Sequence, residues 1–234
     1  EGELRQSQMV TTFGPGAMVD LVNQAVVIGG LEHWGAGNAG WVSLDDERLR
    51  ASLLPRLRAL HPELTLASEN YFRMAPEGDS REPFPSVGVR ALEFPRWFVC
   101  QKCHRLARAL DGFDKVGGRY RHECGGNKRG LAVPVRFVGA CKRGHLSDFP
   151  WISFAHSKTG KVCERPDLTL NEGATGDFGQ IGVKCKTCGE GETMNRAAAV
   201  QYRCGGDRPW LGGRAADEDC EETLELLVRT ASNA

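Results

Sequence analysis

No apolar run in this chain approaches the ~20 residues of a membrane-spanning helix, and Glu1 to Gln8 is polar, without the apolar core of a secretory signal. Both absences point to a soluble, cytoplasmic protein with no membrane partner. No Gly-Lys-Ser/Thr follows the turn Gly14-Pro15-Gly16, so there is no Walker loop and no nucleotide site of that kind. His-Glu-x-x-His, the deaminase pair of His-x-Glu with Pro-Cys-x-x-Cys, and clustered carboxylates for Mg²⁺ are all missing, which removes the commonest hydrolytic metal chemistries. Net charge is absent as well, with 30 Lys and Arg against 30 Asp and Glu. An even spread of that charge would argue against nucleic acid.

The spread is uneven. Between Cys100 and His145 there are 11 Lys/Arg against 3 Asp/Glu, whereas residues 1–99 carry 9 against 13 and residues 204–234 carry 3 against 7. The same basic stretch opens the cysteine pattern that organises the chain. Cys100-x-x-Cys103 is followed by Cys124 and Cys141, and Cys185-x-x-Cys188 by Cys204 and Cys220. A Cys-x-x-Cys turn sets two thiolates on one side of a tight knuckle, as tetrahedral Zn²⁺ requires, and later strands deliver the remaining ligands. A redox Cys-x-x-Cys belongs beside a βαβ pattern, but these two are flanked by short strand-like runs and glycines. Nine cysteines is an odd count, and a disulfide framework suits a much shorter secreted chain. Two structural zinc ions are therefore expected, one on Cys100, Cys103, Cys124 and Cys141, the other on Cys185, Cys188, Cys204 and Cys220. His145 or His122 is the alternative to Cys141 in the first set. His33, His61, His104 and His156 read as surface or satisfied core residues, and Cys163 as a buried apolar one.

With 234 residues, 41% of them hydrophobic, the chain can bury a core of one or two domains. Gly14-Pro15-Gly16 reads as a rigid turn between strands, ahead of a phosphate cradle. Ala25 to Ile28 reads as a short buried strand closed by Gly29-Gly30. Ser43 with Asp46 resembles a capping box before Leu49, Leu53, Leu57 and Leu60, which read as core, although Pro55 should break or kink that helix. Proline, glycine, serine and charge from Ala75 to Pro85 mark a linker. Residues 104–118 read as a polar loop, Leu131 to Ala140 as one strand delivering Cys141, and Leu224, Leu226 and Val228 as a closing strand. The fold class is α+β, mixed and strand-rich: an N-terminal α/β region (1–90), a basic zinc module (91–151), a connecting segment (152–180), and a second zinc module with the closing strand (181–234).

Arg5-Gln6-Ser7-Gln8 leads into Phe13-Gly14-Pro15-Gly16-Ala17. Arg136-Phe137-Val138, Ala140-Cys141-x-x-Gly144-His145-Leu146-x-Asp148-Phe149-Pro150-Trp151, Pro209-Trp210-Leu211-Gly212 and Arg229-x-Ala231-Ser232-Asn233 follow in order. Together these motifs resemble the DrmB family, the helicase-associated component of the bacterial DISARM phage-defence system. The resemblance implies a helicase-like ATPase partner, DrmA, action on DNA, and a match to the N-terminal part of longer family members.

A zinc ion held by four thiolates has no open position for water, so the expected role is non-catalytic. His145 and Asp148 read as polar residues that hold the fold around the first zinc. Three function classes compete: a DNA-contacting subunit of a helicase complex, a purely structural protein scaffold, and a zinc enzyme with a three-ligand site. In the first, Arg119, Arg121, Lys128, Arg129, Lys142 and Arg143 meet phosphates.

Overall fold

The computed structural model describes residues 5–21, 24–36, 40–63, 65, 72–78, 87–126, 128–173, 176–214 and 219–229. Most of the linker expected at 75–85 and the Ala231-Ser232-Asn233 motif lie outside the described residues. The architecture is mixed α+β and strand-rich.

Ala25-Val26-Val27-Ile28 forms β2 (Ala25–Ile28), the middle of three antiparallel strands between β1 (Met18–Asp20) and β5 (Ala91–Glu93), and it is buried at every position because its two faces meet different cores, Val26 and Ile28 packing with Met9 and Phe13 and Val27 with Phe94, Val138 and Leu146. A strand covered on both faces reads as a continuous apolar run. Helix α1 (Gln6–Thr11) and the turn after it contribute Met9 and Phe13 to this core, alongside Val19, Val26 and Ile28. The turn itself is structural. Gly16 has φ +84°, a Cβ there would meet the Trp210 ring at 3.4 Å, and its N–H donates to Ile28 O at 2.9 Å. A two-stranded ribbon, β3 (Trp34–Ala36) with β4 (Val87–Val89), flanks this sheet in sequence.

The Leu49 to Leu60 periodicity does form a helix, α2 (Glu47–Leu60), but Asp46 caps it, accepting from Leu49 N–H at 2.9 Å, while Ser43 bridges to Arg73. Pro55 sits inside the helix without ending it. No residue of α2 is buried, so these leucines are not core: Leu53, Leu54 and Leu57 are half-buried, and Leu49 and Leu60 are exposed.

The larger part of the fold is an eight-stranded antiparallel sheet. Its strands are β6 (Trp97–Cys100), β7 (Arg105–Arg108), β8 (Asp114–Val116), β9 (Arg119–Glu123), β10 (Arg129–Pro134), β13 (Leu168–Asn171), β14 (Gly182–Cys185) and β15 (Gly191–Thr193), in the spatial order β15-β14-β13-β7-β6-β10-β9-β8. The stretch expected as a polar loop at 104–118 thus holds β7, the short helix α3 (Ala109–Gly112) and β8. Both Cys-x-x-Cys segments enter this one sheet, and β13, from the expected connecting segment, joins their halves by pairing with β7 and β14. Helix α4 (Trp151–Ala155) packs on β14 and β15, placing Trp151, Phe154 and Ala155 in a core with Trp97, Leu170 and Ile181.

Leu131 to Ala140 is two strands rather than one. After Pro134 the chain leaves the large sheet and begins β11 (Phe137–Ala140) of a four-stranded sheet, with β12 (Leu146–Asp148), β16 (Tyr202–Arg203) and β17 (Thr223–Val228) in the order β12-β11-β17-β16. Proline has no N–H to continue a ladder, which suits a strand end. β17 is the closing strand that the alternation predicts, with Leu224, Leu226 and Val228 half-buried. Just beyond it, Arg229 pairs with Asp20 of β1 and donates to Val135 O at 3.3 Å, tying the N-terminal sheet to the two larger ones.

Candidate metal centres

Nine cysteines and three histidines meet in three groups, each of three thiols and one imidazole whose ligand atoms all lie within 4.8 Å of one another. The edge of a tetrahedron around Zn²⁺ with Zn–S near 2.3 Å is about 3.8 Å. Contacts of 3.1 to 3.6 Å within the groups fit that edge and are far too long for disulfides. All nine thiols are free. The donor sets therefore fit Zn²⁺, and each offers four protein ligands.

The first group is Cys100, Cys103, His122 and Cys124. Cys100 ends β6, Cys103 lies in the turn to β7, and His122 and Cys124 come from the end of β9. Cys103 Sγ is 3.1 Å from His122 Nδ1, and Cys100 Sγ is 3.5 Å from Cys124 Sγ. The knuckle closes with His104 N–H donating to Cys100 O at 2.9 Å and needs a left-handed residue, His104 at φ +61°. Gly130, opposite on β10, leaves the room: a Cβ there would run into Cys100 Sγ and stand 3.2 Å from Cys124 Sγ.

Cys141, His145, Cys204 and Cys220 form the second group, between the β11–β12 hairpin and the β16–β17 pair. Cys141 is thus not gathered with Cys100. The crossing at Val135-Arg136 carries it to another sheet, where His145 Nδ1 lies 3.4 Å from Cys141 Sγ and 3.6 Å from Cys204 Sγ. Asp148 stands apart from all three groups, binding the Arg96 backbone N–H and Nε at 2.8 Å each.

The third group joins Cys185 and Cys188 to His156 and Cys163, not to Cys204 and Cys220. Its knuckle repeats the first, with Gly189 N–H donating to Cys185 O at 2.9 Å and Gly189 at φ +82°. His156 caps the end of α4 and is buried. Its Nδ1 lies 2.7 Å from Ile152 O and its Nε2 3.3 Å from Cys188 Sγ. A carbonyl can only accept, so Nδ1 carries the proton and Nε2 presents a lone pair, the arrangement that orients a metal-ligating histidine.

The thiols are divided in acidity. In the third group burial opposes ionisation of Cys185, but bonds to the backbone at Cys188, Asp167 and Thr187 outweigh it and bring the thiol to about 6. Cys141 is brought to about 7 against burial by the backbone at His145 and Arg143, and Cys100 is lowered in the same way by Cys103 and Lys102. Burial and the neighbouring thiols push Cys124, Cys163 and Cys204 up to about 11. Each group thus sets a thiol whose pKa is lowered beside one whose pKa is raised, because neighbouring thiolates repel each other. A divalent cation among them removes that conflict.

Sequence reasoning passes over His156 and Cys163. The available signal is the odd cysteine count, since nine is three sets of three, each needing one histidine. Of the expected DNA-contacting residues, Arg119 and Arg121 project from the exposed face of β9, Lys128 is exposed in the β9–β10 turn, and Arg129 pairs with Glu123 at 3.3 Å. Lys142 and Arg143 lie on the β11–β12 turn of the other sheet. The six do not share one sheet.

Residues 5–234 match the family described as a domain of unknown function, DUF8724. The chain is also similar to the DISARM protein DrmB of Bacillus paralicheniformis, at 27% identity over 225 residues. That match covers 92% of this chain and 35% of the relative, so the chain spans about a third of the relative's length and is DrmB-like over nearly all of its own.

Proposed function

The chain belongs to the DUF8724 family, and from that premise and its likeness to a DISARM protein we propose that it is a non-catalytic zinc-binding part of an anti-phage defence complex. It associates with the helicase-like ATPase DrmA and contributes contacts to DNA. The observation that carries the metal role is the donor set: three groups of three thiols and one imidazole, each with four protein atoms close enough together to complete a tetrahedral site. Bound there, zinc supplies folding free energy, because the ligands are gathered from segments far apart in the chain. With no position left for water, the groups serve as staples. The lack of a Walker lysine agrees with ATP hydrolysis residing in the partner.

Co-purification with DrmA, metal analysis and DNA-stimulated ATP hydrolysis test this reading. Three zinc ions per chain are expected, with DrmA hydrolysis altered when the chain is present and no hydrolysis by the chain alone. A zinc-free folded protein would remove the metal role. Hydrolysis by the isolated chain, or DrmA activity indifferent to it, would overturn the accessory role.

A further inference from the structure

Residues opposite one another on an antiparallel ladder share a face of the sheet, and so do residues two apart on a strand. The register therefore sorts the eight-stranded sheet into two faces. On one, Leu168 and Leu170 of β13 and Val183 and Cys185 of β14 enter the core on which α4 packs. On the other, Phe98, Tyr120 and Ala132 of β6, β9 and β10 pack with Ala109 and Phe113. No residue that β13 or β14 sends to this second face is buried: Thr169 and Gly182 are half-buried, and Asn171 and Lys184 are exposed.

Arg105 joins the two halves of that second face. It lies two residues from Ala107, which opposes Phe98, and it pairs with Thr169; Thr169 pairs with Lys184, and Lys184 with Gly191 of β15. Lys186 N–H donates to Asp167 O at 2.7 Å, which carries the β13–β14 ladder one pair further and sets Lys186 on the same face as Lys184. Lys184 and Lys186 are exposed and Arg105 is half-buried, its Nε enclosed without a hydrogen-bond partner among the described residues. None of the three cations forms an ion pair among those residues. Gly182 and Gly191 leave room on this face, and a cavity of about 490 Å³ opens there beside Lys184 and Thr193. Asp167 opposite Lys186 and Glu190 beside the cavity are half-buried, and Glu192 is buried and engaged by Lys158 and Arg196.

We propose that this open face, with Arg105, Lys184 and Lys186 as its cations, is a phosphate-backbone site for nucleic acid. The inference rests on the DNA-contacting reading above and places the contact on the face of the sheet opposite to Arg119 and Arg121, which flank the inward-facing Tyr120. At ~4.8 Å between strands and ~3.4 Å per residue along them, Arg105 and Lys184 stand about 10 Å apart and Lys184 and Lys186 about 7 Å apart. A nucleic-acid strand carries one phosphate per about 3.4 Å of duplex axis, so the cations match a run of about three phosphates. A protein interface centres on aromatic or aliphatic anchors, and this face of β13 and β14 offers none. For the same reason the site grips the backbone and reads no bases.

The test measures binding of the zinc-loaded protein to fluorescein-labelled DNA 20-mers, single- and double-stranded, from low to moderate salt. Lys184→Ala with Lys186→Ala, at unchanged zinc content, is expected to weaken binding about tenfold or more at low salt. The log–log salt slope should become shallower by about 1.4 to 1.8, because two phosphates are no longer neutralised. Lys184→Ala alone, outside the knuckle, should give about half that change in slope, and it decides the matter should the pair lose zinc. An unchanged affinity and slope, or a slope flattened instead by Arg119→Ala with Arg121→Ala, overturns the location. Absence of salt-dependent binding by the unsubstituted protein would defeat the DNA reading itself, and the location with it.

Discussion

Cys124, Cys163 and Cys204 each sit beside thiols of their own group, and in each case burial and those neighbours raise the thiol to about 11. At neutral pH the metal-free protein keeps a proton on all three. Zinc binds thiolates, so loading must expel them. Zinc titration in a weakly buffered solution at pH 7 is expected to release at least one proton per ion, three or more per chain, detectable with an indicator dye. Metal uptake without proton release would mean that these thiols are not ligands. Acid returns the protons, so the metal-dependent part of stability is present near neutrality and lost as pH falls. His156 shows how a ligand escapes a sequence reading. It has no cysteine at knuckle spacing, and only the carbonyl of Ile152 on α4 turns its Nε2 toward Cys188.

Elements contribute unequally to the fold, and α2 contributes least. Its leucines recur at helical spacing and predict a core face, yet the helix buries no residue and Leu60 is 74% exposed. Leu60→Glu is therefore expected to shift stability by less than about 0.5 kcal/mol, as surface substitutions do, where a core leucine truncated to Ala would cost about 2–5 kcal/mol. Urea unfolding of the two proteins decides between these, and a loss in the core range would place Leu60 against something that buries it. The contrast with β2 and β17 is physical. Strand patterns report which faces of a strand are covered, and both were legible: the continuous run of β2 packs into a core on each face, and the alternation of β17 leaves every second residue exposed. A helical stripe says only that a helix would be amphipathic, not what covers it.

At the scale of the molecule, the three larger sheets share hydrophobic cores, Val27 of β2 packing with Val138 and Leu146 of the four-stranded sheet and Phe137 of that sheet with Trp97 and Leu106 of the eight-stranded one, and ion pairs add to this. Among the ion pairs of the described residues Arg229 is the most buried cation, with its guanidinium pushed down to about 10 by burial and paired with Asp20 on β1 of the N-terminal sheet. Arg229→Ala leaves that carboxylate without its partner and is expected to cost about 3 kcal/mol, the low end for a buried pair because Asp20 keeps some contact with water. Denaturant unfolding would show it, and a loss below about 1 kcal/mol would mean that the sheets hold without this pair. The sequence by itself determined the local chemistry: which residues are thiols, which two pairs form knuckles, where β2 and β17 run, and that charge gathers between Cys100 and His145. The partners of each knuckle were decided only by tertiary structure. Spacing along the chain orders ligands by proximity and so joined Cys141 to Cys100 and Cys204 to Cys185, but the chain changes sheets after Pro134 and folds Cys204 and Cys220 back beside Cys141. That leaves Cys185 and Cys188 to His156 and Cys163. Tetrahedral coordination depends on distances of a few ångströms in space, and it was the pairing of β13 with β7 and of β17 with β11 that set them.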